Sequence, residues 1–101
     1  MEEQILSPIT PGEMLLEEFL KPMGISQNAL ARSMRIPLDR INAIVHGRRS
    51  ITVDTALRLS LALGTTPEFW LNLQTKYDLE VARQELEAQI KKEVIPLTSA
   101  E

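Results

Sequence analysis

The chain has 101 residues, a hydrophobic fraction of 44% and a formal net charge of −3. That describes one small globular domain with room for an extension, not a disordered chain. The absence of cysteine and the single histidine exclude a disulfide framework, a thiolate metal site and a His-cluster site; no signal peptide or membrane span is legible, so a cytoplasmic protein without a cofactor is the expectation.

Residues 1–9 read as an extended, partly apolar arm interrupted by Ser7-Pro8. Thr10-Pro11-Gly12-Glu13 is a helix start. Thr10 caps, Pro11 fits the first helical position and Glu13 completes a capping box. The first helix then buries Met14, Leu15, Leu16, Phe19 and Leu20. Pro22 limits it and Gly24 turns the chain.

The stretch Ser26–Arg49 organises the rest. Its first run, capped by Ser26, carries Ala29, Leu30 and Met34 to one side. Its second run puts Ile41, Ile44 and Val45 at i, i+3, i+4, so that face is apolar and must be buried. Asp39, Arg40, Asn42, Ala43 and His46 lie on the other side. Only Arg35, Ile36 and Pro37 separate the runs, which is helix-turn-helix geometry. The second helix is then the one to enter a major groove.

Gly47 ends that helix, and Arg48-Arg49 follows. Thr52 caps a fourth helix, nearly all buried, on Val53, Ala56, Leu57, Ser60 and Leu61. Gly64 stops it. Thr66-Pro67-Glu68 starts a short fifth helix with Phe69, Trp70 and Leu73 on its buried face. From Tyr77 a separate amphipathic helix repeats Leu79, Ala82, Leu86 and Ile90 among charges. Val94–Leu97 is a short apolar tag, and Thr98–Glu101 reads as frayed. The division is an arm over 1–9, a DNA-binding domain over 10–75 and a helix with tail over 76–101.

Charge is distributed unevenly. Between Ile25 and Thr52 the charged residues are Arg32, Arg35, Arg40, Arg48 and Arg49 against Asp39 alone. A basic island in an acidic chain gives one oriented docking face rather than general polyanion affinity.

The order ITPGEMLLEEFL, ISQNALARSM, RINAIVHGRRSIT and DTALRLSLALGTTPEFWLNLQ closely resembles the HigA-type antitoxins of the Xre (Cro/cI-like) helix-turn-helix family. The likeness covers about Ile9–Tyr77. It implies an all-α, five-helix, lambda-repressor-like domain, here with an additional C-terminal helix. It also implies a homodimer that represses its own operon on double-stranded operator DNA. The partner it implies is a HigB-like, mRNA-cleaving toxin of the RelE-like fold. Pro37 stands where the family often has a Ser or Thr cap.

Gln27 and Asn28 open the second helix, and in the family this end of the helix meets a phosphate, helped by the helix N-terminus. Arg40 and Asn42 are the base-reading candidates, since Arg suits guanine and Asn adenine through paired hydrogen bonds. Ala43 is small enough for close groove approach. Leu38 fits either a thymine methyl or the core. Asp39 either accepts from a cytosine amino group or pairs with an Arg. His46 ends the face and suits a surface or packed role better than readout. Arg48 and Arg49 are placed to bind phosphate. Trp70 and Phe69 fit core or dimer packing, and the tail helix fits toxin binding, dimerisation or a lid on the core. Two readings compete with the antitoxin: a solitary Xre regulator without a toxin, and a protein-interaction module with a scaffold helix-turn-helix. An enzyme is not expected, because there is no Cys, one His, no Gly-rich phosphate loop and no convergent acid pair.

Overall fold

A computed structural model describes residues 8–98, which hold five helices and no strand. Residues 1–7 of the expected arm and 99–101 of the expected frayed end lie outside the described residues.

Helix α1 spans 11–23. Thr10 Oγ1 accepts from the Glu13 N–H, and Glu13 Oε1 accepts from the Thr10 N–H, which forms the capping box. The stretch Leu16–Leu20 inside α1 is π-helical, with the Lys21 N–H bonded to the Leu16 carbonyl. Pro22 follows directly. Its ring conflicts with the carbonyl four residues back in a regular helix, and the wider turn lets α1 continue to Met23 instead of stopping at Pro22. Gly24 then adopts the left-handed conformation.

Helices α2, Gln27–Met34, and α3, Leu38–Val45, form the helix-turn-helix. Helix α4 is Val53–Leu63 and α5 is Pro67–Glu93. Ser26, Thr52 and Thr66 cap α2, α4 and α5 through their hydroxyl oxygens.

The core is continuous across all five helices. Leu15, Leu20, Leu30, Ile41, Ile44, Leu59 and Trp70 are almost wholly buried. Trp70 is the largest of them, and its indole N–H donates to Thr65 Oγ1 at 2.7 Å. Phe19, Phe69 and Trp70 form a three-ring cluster with edge and tilted contacts. Helix α1 crosses α3 very closely at Gly12. A Cβ there would stand 1.8 Å from the Ile44 carbonyl oxygen, so only glycine fits.

Two expectations need correction. Helix α4 buries Thr55, Ala56, Leu59 and Ser60, while Val53, Leu57 and Leu61 are exposed. Both sets recur at helical spacing. Thr55, Ala56, Leu59 and Ser60 form the face turned into the core, and the leucine stripe is left outside. The fifth helix and the amphipathic helix are one continuous helix of 27 residues, about 40 Å long. No glycine or proline interrupts 68–93, and contacts four residues apart, such as Lys76–Glu80 and Arg83–Glu87, run along its surface. The boundary between 75 and 76 therefore falls inside a helix.

Candidate nucleic-acid interface

The turn between α2 and α3 is closed by a backbone hydrogen bond. The Ile36 N–H reaches the Ala31 carbonyl at 3.1 Å, and Arg35 adopts the left-handed conformation with φ 59°. Pro37 is the N-cap of α3 rather than its first helical residue, and it supplies no side-chain cap. At the other end of α3 the Gly47 N–H bonds the Ile44 carbonyl and the Arg48 N–H bonds the Ala43 carbonyl. This paired closure around a left-handed glycine fixes where the chain carries Arg48 and Arg49.

Burial of Ile41, Ile44 and Val45 decides which side of α3 faces outward. At 100° per residue Asp39, Ala43 and His46 lie within about 60° of one another, opposite that buried face. Asn42 and Arg40 stand on the two flanks. The structure thus separates two residues that the sequence grouped as joint readers.

Arg40 points toward α4, where its Nη1 lies 3.7 Å from Asp54 Oδ2. Its side chain is 31% exposed. Arg58 is bound to the same carboxylate through Nε and donates through Nη1 to the Met34 carbonyl at 2.8 Å. A cation there satisfies the C-terminal end of α2. Asp54 and Arg58 were missed in the sequence, although their i, i+4 spacing signals a helical pair.

Asn42 is also engaged within the protein. Its Nδ2 donates to Gln27 Oε1 at 3.4 Å, and its Oδ1 accepts from Arg48 Nη2 at 3.1 Å. His46 Nδ1 donates to the Asn42 backbone carbonyl at 2.9 Å, which holds the ring against the end of α3. Among the described residues Asp39 forms no ion pair, so its pairing alternative is not realised there. Leu38 is 41% exposed and lies at the surface rather than in the core. Ser26, Gln27, Asn28, Leu38, Asp39 and Asn42 line one open depression between α2 and α3.

Arg48 and Arg49 are exposed, as are Arg32 and Arg35, and among the described residues none of the four forms an ion pair. Their charge therefore remains available to an external anion. The loop that carries Arg48 and Arg49 is tied down from behind. Buried Gln74 of α5 accepts from the Ile51 N–H at 2.8 Å and donates to Asp78. Gln74 was missed as well; its only signal is a polar residue four positions after Trp70, on the same helix face.

Comparison with known proteins matches this geometry. The helix-turn-helix family pattern HTH_3 covers residues 16–70. The chain is 42% identical over 84 residues to antitoxin HigA-1 of Vibrio cholerae, covering 83% of this chain and 79% of that one. It is similar to the solved structure of an addiction module antidote protein of the HigA family from Coxiella burnetii, with TM-score 0.84 and 52% identity over 90% of this chain and 99% of that one. It is similar too to Pseudomonas aeruginosa antitoxin HigA solved with higBA promoter, with TM-score 0.86 and 42% identity over 90% and 99% of the two chains. With the helix-turn-helix pattern over more than half its length and relatives this near across almost all of it, the chain belongs to the HigA-type antitoxins of the Xre helix-turn-helix family.

Proposed function

We propose that this antitoxin binds its own operator with α3 in the major groove and represses transcription there. The observation that carries this is the likeness to a HigA structure that includes promoter DNA, at TM-score 0.86, combined with exposed arginines beside α3 that form no ion pair among the described residues. Asp39, Ala43 and His46 face the bases, with Leu38 beside them. Gln27, Asn28, Arg48 and Arg49 contact the phosphates on either side. Arg40, held by Asp54, lies at the margin of this surface.

The protein acts as a homodimer, which presents two α3 helices about 34–36 Å apart to a palindrome. It also neutralises a HigB-like toxin. Two separate apolar stripes support two protein partners: Val53, Leu57 and Leu61 on α4, and Leu79, Leu86 and Ile90 on α5. Leu79 stands nine residues after buried Trp70, about 180° around the helix, so the α5 stripe faces away from the core and is not a lid on it.

The test is a titration of the chain's own upstream DNA against a scrambled duplex at moderate salt. Preferential binding is expected, with a complex mass of two chains per palindrome. Equal binding to both duplexes would refute the repressor function. Co-expression with a short basic reading frame from the same operon is expected to yield a stable complex. Without such a neighbour, the solitary regulator is the better description.

A further inference from the structure

Three side chains from three separate segments meet beside α3. Gln27 is the first residue of α2, Asn42 lies in the middle of α3, and Arg48 follows the glycine that ends α3. Arg48 Nη2 donates to Asn42 Oδ1 at 3.1 Å, and Asn42 Nδ2 donates to Gln27 Oε1 at 3.4 Å.

This chain of hydrogen bonds has one possible direction. A guanidinium only donates, so it claims the carbonyl oxygen of Asn42. The amino group of Asn42 is then left facing Gln27, and an amino group also only donates. Gln27 must answer with its carbonyl oxygen. Its own amino group is therefore turned outward, and among the described residues no side chain accepts from it.

We propose that Asn42 is a positioning residue rather than a base reader: it transmits the donor polarity of Arg48 to Gln27, so that α2 presents a fixed amino donor to a backbone phosphate. The proposal rests on the DNA-binding function above. Reading adenine would need both polar atoms of the Asn42 carboxamide turned to one base edge, and each is instead oriented by a partner within the protein, Nδ2 by Gln27 and Oδ1 by Arg48. Asn42 also lies on the flank of α3 that faces α2, away from the outward set Asp39, Ala43 and His46. The relay links the two phosphate-facing ends of the helix-turn-helix, so the N-terminus of α2 and the turn after α3 are aligned as one unit.

The experiment is a binding titration of the full chain on its operator and on a panel with each base pair changed singly. It uses wild type, Asn42→Ala, Gln27→Ala and the double variant, with folding checked by thermal melting. Asn42→Ala is expected to weaken operator binding about tenfold and to weaken every panel member by the same factor, as phosphate contacts do. Gln27→Ala is expected to match it, and the double variant to lie within about twofold of either, since both remove one device. Loss of preference confined to a single base pair in Asn42→Ala would show a base reader and overturn the proposal. Multiplying effects in the double variant would overturn it as well. If wild type shows no operator preference, the DNA-binding function falls and the proposal falls with it.

Discussion

Gln74 of α5 accepts a hydrogen bond from the Ile51 N–H at 2.8 Å, and both residues are buried. This contact joins the long C-terminal helix to the loop behind Arg48 and Arg49. Gln74→Leu leaves a buried N–H without a partner, which costs about 1–3 kcal/mol. Circular-dichroism melting is expected to show a lower Tm. Operator affinity is expected to fall too, because the loop loses its anchor. An unchanged Tm would mean that the loop is held by other contacts.

Gly12 lies against the Ile44 carbonyl with no room for a methyl group. Gly12→Ala forces α1 away from α3 or shifts α3 itself. Overpacking of this kind costs about 1–3 kcal/mol, and backbone yields less readily than a side chain. The denaturant midpoint is expected to drop. Operator binding at temperatures where the variant remains folded is expected to weaken with it.

Arg35 holds a left-handed conformation in the helix-turn-helix turn. An L-residue pays about 1–2 kcal/mol there, part of which glycine returns in unfolded-state entropy. Arg35→Gly is therefore expected to raise the Tm by a few degrees, roughly the effect of under 1 kcal/mol in a domain of this size. A lower Tm in calorimetry would show that the Arg35 side chain stabilises the turn by more than its backbone costs.

Arg49 and Arg40 are expected to behave differently. Arg49 is exposed without an ion pair among the described residues, and Arg40 faces Asp54. Arg49→Ala is expected to weaken binding to all duplexes and to reduce the slope of log K against log salt by about 0.9, the value for one phosphate contact. Arg40→Ala is expected to change that slope less. Titrations from low to moderate salt distinguish them.

The α5 stripe faces away from the core, so Leu86→Ser with Ile90→Ser is expected to leave the Tm within a few degrees of wild type. If the stripe serves the proposed homodimer or the proposed toxin contact, sedimentation of the chain alone or co-elution with a protein co-expressed from the same operon is expected to show the loss of that association. A large drop in Tm would place the stripe inside the fold instead.

The helix boundaries were legible because each rests on local chemistry. Thr10, Ser26, Thr52 and Thr66 cap as their types and spacing require, and Gly24, Gly47 and Gly64 take the left-handed turns. Pro22 misled because a single π-helical turn absorbs it. The break expected near Tyr77 marked a change in burial, not in backbone. A helix leaves its core without stopping when nothing in the sequence stops it.

The sequence by itself determined where each helix starts, the helix-turn-helix and the basic island, since these depend on caps, apolar periodicity and charge within a few neighbouring residues. Only the tertiary structure decided which candidate side chains are free. Arg40 is drawn to Asp54 on α4, and Asn42 is shared between Gln27 and Arg48. Both outcomes depend on distances between segments that the chain brings together only when it packs. The same holds for α4, where two faces had equal periodicity and packing into the core selected the one that carries Thr55, Ala56 and Leu59.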